Sequence, residues 1–219
     1  MLQHNGLAIP RNLDELVTPD QVALIVYDMQ VGIVGQVAQR EAITARVKQV
    51  LDAARRARIR TFFTRHMTLP KELMGASQYR MWMAWQRKED PAEVQSPFLR
   101  DSPGFPIIDE LRPLASEAIF DKLAMSAFEG TPLAFALRDC GIRAFIICGI
   151  ALEIGIDPTC RHGADLGFIP ILVEDACGAG NSEAAAKALE NLSFLGDTIV
   201  TTTEKICELL SRHAKQRVS

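Results

Sequence analysis

No stretch of these 219 residues approaches the roughly 18 to 20 continuous apolar residues that a membrane-spanning helix takes. The opening MLQHNGLAIPRNLDELV also has no apolar core behind a basic cap, so the expectation is a soluble, cytoplasmic chain with no membrane partner. Cysteines are few and scattered. The five (Cys140, Cys148, Cys160, Cys177, Cys207) are odd in number and form no C-x-x-C, which argues against a disulfide framework or a zinc ribbon and for a reducing compartment. No Lys/Arg block with interleaved aromatics occurs, and the net charge is only -3, so nucleic acid is not expected as a partner. Phosphate loops are missing too: Gly178 to Gly180 reads as a turn, and neither G-x-G-x-x-G nor G-x-x-x-x-G-K appears. His4, His66, His162 and His213 stand in unrelated contexts, without a second ligand at metal-binding spacing. The expectations are therefore no cofactor, no metal and a small-molecule substrate.

What is present is alternation. Six short apolar runs, Ala23 to Asp28, Ile59 to Thr64, Ala118 to Phe120, Ala144 to Gly149, Ile169 to Asp175 and Asp197 to Thr202, are separated by amphipathic stretches such as REAITARVKQVLDAARRA and SEAAAKALENLSFLG. Strands without polar alternation are buried on both faces. The pattern predicts a three-layer α/β/α domain over residues 1–219, its six-stranded sheet mainly parallel with helices on each side. One irregular excursion, residues 66–106, is rich in Met, Trp, Pro and charge. A connection of that length is expected to be either a lid or a surface that docks on a partner subunit.

Ligands in open α/β sheets bind beyond the carboxyl ends of the strands. Those ends carry Asp28 followed by Gln30, then Arg65 and His66, then Asp121 and Lys122, then Cys148-Gly149 ahead of Ala151 and Gly155. Asp28 and Lys122 should converge at one mouth, where a carboxylate beside an ammonium can serve as an acid or a base. A plain structural ion pair is the alternative. His66 suits a polar pocket position, while Trp82, Trp85 and Phe128 would either stack on a planar substrate or fill the core. The turn ICGIALEIG is where a nucleophile is usually found, and glycine stands there.

Taken in order, VYDMQ, FDKLAMSAF, CGIALEIG leading to ADLGF, and LVEDACGAG resemble the isochorismatase-like hydrolase superfamily from Val22 to Ile206. Most of that superfamily hydrolyses amides with an Asp, a Lys and a Cys. The resemblance puts the Asp on Asp28, the Lys on Lys122 and the Cys on Gly155. Isochorismatases proper also carry glycine there, and their Lys motif runs into Ser-Ala-Phe, as Ser126-Ala127-Phe128 does here. They cleave a vinyl ether by acid catalysis. On that likeness Asp28 is the proton donor, Lys122 tunes it or holds substrate, and Gly155 leaves room for ligand or water. Gln30, His66, Trp85 and Phe128 would contact substrate. Ile150-Ala151 would be a cis peptide whose N–H groups, with that of Gly155, face the ligand. A homodimer or homotetramer is implied as well. Two departures stand out: His66 replaces the usual Gln, and Ala151-Leu152-Glu153 replaces Tyr-Ala-His in a more acidic turn. A water-activating amide hydrolase and a non-catalytic small-molecule binder or scaffold are the competing readings.

Overall fold

In the computed structural model, which describes residues 1–216, the six apolar runs become one sheet. Its strands are β3 (Val22–Tyr27), β4 (Arg60–His66), β5 (Ala118–Lys122), β6 (Ala144–Ile150), β7 (Ile169–Gly178) and β8 (Ile199–Thr201), in the order β5-β4-β3-β6-β7-β8 with every pair parallel. Ahead of them a small hairpin, β1 (Leu2–His4) and β2 (Leu7–Ile9), pairs Leu2 with Ile9. The six-strand expectation omits it. Its signal is Asn5-Gly6, both at positive φ, the chemistry of a two-residue hairpin turn.

Helices follow the strands: α1 (Leu13–Leu16), α2 (Val31–Val34), α3 (Arg40–Arg56), α4 (Ala76–Gln86), α5 (Leu133–Asp139), α6 (Asp157–Asp165), α7 (Ser182–Leu195) and α8 (Thr203–Gln216). Side chains alternate across a strand, and β3 shows what that does here. Val22, Leu24 and Val26 pack with α3 and α8, through residues such as Val47, Leu51, Ile206 and Leu210. Ala23, Ile25 and Tyr27 pack on the opposite face with Leu133, Leu137, Cys160 and Leu192 of α5, α6 and α7. Each fully buried Leu, Ile or Val contributes about 1.5 to 3 kcal/mol, and two such layers hold β3 at the centre. Among the described residues no helix is long and apolar enough to cross a membrane.

Three strands run further than their apolar residues suggest. β4 and β5 carry their polar ends into the ladder, with Arg65 opposite Asp121 and His66 opposite Lys122. β7 continues past Asp175 to Gly178 through a register shift between Ile147 and Gly149. Main-chain pairing satisfies buried N–H and C=O groups whatever the side chains are, so hydropathy alone ends these strands too early.

The excursion is more ordered than its composition implies. It contains α4 and two single 3-10 turns, Lys71–Leu73 and Pro91–Glu93. A separate apolar cluster of Met74, Trp82, Val94, Phe98 and Phe105 holds it together.

From β3 the chain crosses by α3 to β4 on one side, and from β5 it returns by α5 to β6 on the other. The crevice at this reversal lies between the carboxyl ends of β3 and β6. Strand β6 approaches β3 very closely there. Gly149 has φ +133, and a β-carbon on it would overlap the main-chain carbonyl of Tyr27, so only glycine fits. Gly149→Ala should destabilise the protein by at least about 2 kcal/mol, read as a lowered denaturation midpoint. An unchanged midpoint would mean that β3 and β6 can separate without cost.

Candidate active site

Asp28 directly follows β3, in the left-handed region with φ 46, and is 3% exposed. Its carboxylate is held from two sides. Oδ1 accepts the Thr64 hydroxyl at 2.5 Å, and Oδ2 accepts from Lys122 Nζ at 2.7 Å. The Asp28 N–H in turn donates to Thr64 Oγ1 at 3.2 Å. The Lys122 side chain is completely buried, with a further bond to the Ala124 carbonyl at 3.2 Å and its ammonium 4.3 Å from the Tyr27 ring centroid. Burial pushes the Lys122 ammonium pKa downward, and the Asp28 carboxylate opposes that shift. The predicted convergence of Asp28 and Lys122 is therefore direct contact. Sequence pattern does not single out Thr64, because a threonine within a strand is ordinary. Its position two residues before His66, on the same face of β4, was the available sign.

His66 is 5% exposed, with its ring 6.2 Å from that of Trp82 and 6.0 Å from that of Phe98. Its Nδ1 has no partner. Burial first, then the Lys122 ammonium, lowers its pKa to about 4, with Asp28 acting against them. The imidazole is thus neutral at pH 7 and retains one N–H and one lone pair.

A cavity of about 550 Å³ opens above these groups. Asp28, His66, Trp85, Ile150, Ala151 and Gly155 all stand on its wall, as do Trp82 and Phe98 of the excursion. Trp85 is half exposed and edge-on to Trp82 at 5.3 Å. The Ile150-Ala151 peptide is cis. No lysine or arginine is among the lining residues.

Other expected contacts fall elsewhere. Gln30 is wholly buried, and its amide is fully used: Nε2 donates to the His66 and Phe105 carbonyls at 3.0 Å each, and Oε1 accepts from the His66 N–H at 2.6 Å. It ties β4 and the excursion to β3 and leaves no group for a ligand. Phe128 stacks on Phe168 at 5.7 Å and meets Phe145 edge-on at 5.5 Å, inside the apolar layer on the helical face rather than at the cavity. Gly155 stands on the cavity wall, but in the direction a β-carbon would take, the space beside its Cα is filled by the Tyr27 side chain rather than left open. Its N–H donates to the Ala151 carbonyl at 3.0 Å, within the single π-turn Leu152–Ile156, and is not free to face a substrate. Nor does a neighbouring thiol take over: Cys148 and Cys160 are fully buried, and burial pushes both well above the ordinary cysteine range.

In the sequence Glu153 stands out only as an acidic departure. In the structure its Oε1 accepts from the Gly180 and Asn181 N–H groups at 2.8 and 2.6 Å, while Oε2 is buried without a partner. The glycine turn after β7 is thereby fastened to the cavity wall. Among the described residues no group of three His, Cys, Asp or Glu side chains is placed to hold a metal ion.

The family model for the isochorismatase domain matches residues 22–205. The chain belongs to the isochorismatase family. Ureidoacrylate amidohydrolase RutB of Enterobacter sp. (strain 638) is 28% identical over 218 residues, covering 92% of this chain and 94% of its own. Among solved structures, a cysteine hydrolase from Pseudomonas syringae pv. phaseolicola 1448A superimposes with TM-score 0.75 at 24% identity, over 90% of this chain and 96% of that one. An N-carbamoylsarcosine amidase from Thermoplasma acidophilum does so with TM-score 0.69 at 21% identity, over 84% and 96%. This member is an isochorismatase-family hydrolase.

The lowered His66 pKa fixes the sign of a pH effect. The unfolded chain takes up a proton near pH 6.5, whereas the folded one does so only near pH 4. Stability from this group is therefore complete above pH 6.5 and falls as the pH drops from 6.5 to 4, by up to about 3 kcal/mol. Denaturant unfolding of the protein and of His66→Gln across that window should give a slope that the variant lacks. Parallel slopes would show that His66 does not titrate in this way.

Proposed function

We propose that this protein hydrolyses a small organic substrate by proton transfer through Asp28, with no covalent cysteine intermediate. Cleavage of an isochorismate-like vinyl ether is the reaction that suits this arrangement best. The observation carrying the reading is the buried Asp28–Lys122 pair, 2.7 Å apart on the cavity floor, in a site whose strand-to-helix turn offers no thiol. A catalyst that attacks needs a nucleophile, whereas one that protonates needs a stored proton.

Lys122, its ammonium disfavoured by burial, yields a proton to the adjoining carboxylate more readily than a solvated lysine does. Asp28 then protonates the terminal methylene carbon of the vinyl ether. The resulting oxocarbenium ion faces the carboxylate that has just lost its proton, so positive charge develops where negative charge is already fixed. Water adds to the cationic carbon and returns a proton to Asp28. The hemiketal collapses to a ketone and a free alcohol, which for isochorismate are pyruvate and the ring diol. Thr64 and Lys122 keep the carboxylate oriented throughout. Neutral His66, with Nδ1 unpartnered, and Trp85, Ile150 and Ala151 on the wall supply polar and apolar contacts. Gln30 acts at one remove, by holding His66 in place.

One observation favours a second reading. Without lysine or arginine on the cavity wall, a dicarboxylate finds no cationic partner except Lys122 beneath Asp28. An uncharged amide, hydrolysed by water that Asp28 activates, needs no such partner, and an amidohydrolase is among the relatives.

Purified protein mixed with isochorismate, and separately with a panel of uncharged amides, should be followed for pyruvate and for ammonia, with Asp28→Asn in parallel. Pyruvate release that falls by roughly 10²-fold or more in the variant is the expected result. Ammonia without pyruvate would replace the vinyl ether by an amide. Turnover of neither class, with ligand binding retained by both proteins, would leave a non-catalytic binder.

A further inference from the structure

A β-carbon at position 155 would overlap the hydroxyl and ring of Tyr27. That ring is held on several sides. It is 2% exposed, its hydroxyl donates to the Met125 carbonyl, the Lys122 ammonium lies 4.3 Å from its centroid, and its main chain is pressed by Gly149. Side chains so enclosed respond to added volume with off-rotamer strain or backbone shifts. Tyr27 is also on the cavity wall beside Asp28. Burial, reinforced by the Asp28 carboxylate, raises its phenol well above the ordinary tyrosine range, so it stays neutral and is no nucleophile itself.

We propose that Tyr27 and Gly155 are one unit, in which the phenol occupies the place a thiol at 155 would need and thereby bars covalent catalysis from this site. Tyr27 is then the residue that commits the cavity to chemistry without an attacking side chain. The proposal rests on the reading above only in taking the strand-to-helix turn as the place where substrate reacts. The pair has a clear consequence for sequence change: restoring cysteine alone fails, and cysteine is admitted only once the tyrosine is reduced in size.

The test needs no substrate. Gly155→Cys, Tyr27→Val, Tyr27→Val/Gly155→Cys and Tyr27→Phe/Gly155→Cys are compared with the unaltered protein by thermal unfolding and by iodoacetamide labelling, the alkylated position being read by fragmentation of the one tryptic peptide, residues 144–161, that carries positions 148, 155 and 160. Gly155→Cys is expected to melt roughly 5 °C or more lower, or not to accumulate folded. The Val/Cys pair should melt no lower than Tyr27→Val alone, and the thiol introduced at 155 should be alkylated at least ten times faster than Cys148 and Cys160 in the same folded molecule, two buried thiols that act as internal controls. Because phenylalanine keeps the ring, the Phe/Cys pair should remain destabilised. A Gly155→Cys protein with an unchanged melting temperature, a Val/Cys protein that does not fold or whose new thiol stays unlabelled, or rescue by phenylalanine would each overturn the proposal. None of these outcomes depends on whether isochorismate or an amide is turned over, so failure of the unit and failure of the proposed reaction are read separately.

Discussion

The arrangement depends on one buried ion pair. Lys122 is without solvent and Asp28 nearly so, and removing either partner would strand an uncompensated charge at a cost of about 3 to 5 kcal/mol. The fold keeps both by tying each one down. Lys122 is drawn into the β5 ladder opposite His66, Asp28 is bent into a left-handed conformation at the end of β3, and Thr64 of β4, the strand between them, satisfies the second carboxylate oxygen. Three neighbouring strands thus meet at one pair of charges. An excellent geometry of this kind is what makes a buried pair tolerable, and it is also what keeps a proton available away from water.

Around the pair, space is allocated tightly. Gly149 lets β6 close on the Tyr27 carbonyl, and Gly155 lets the following turn close on the Tyr27 ring. The same residue therefore shapes the sheet at the crevice and fills the place where a side chain of the turn would project. Facing it, the excursion contributes an aromatic wall through Trp82 and Phe98, anchored by its own cluster and by the Gln30 clamp. The substrate side of the site is built from two parts of the chain that are stable for different reasons, and His66 sits where they meet.

Much of this was legible beforehand. The six runs, their parallel order, the Asp28–Lys122 convergence and the cavity positions of His66, Trp85, Ile150 and Ala151 agree with the reading of strand ends and motifs. Gln30, Phe128 and Gly155 illustrate its limit. A glutamine two residues past a catalytic-looking aspartate reads the same whether its amide faces a ligand or two backbone carbonyls. A phenylalanine next to a motif reads the same in a cavity or in a core. Glycine reports that something lies close by, without saying whether that is a ligand or a tyrosine.

By itself the sequence determined the layers, the strand positions and the residue types that gather at the carboxyl ends, because hydropathic period and turn chemistry act over a few residues. Only the tertiary structure decided which of those residues face the cavity. Whether an amide is free, a thiol has room or a charge is paired depends on atoms that lie dozens of residues away in the chain, such as Thr64 and Lys122 around Asp28 and Tyr27 beside Gly155, and local pattern carries no record of them.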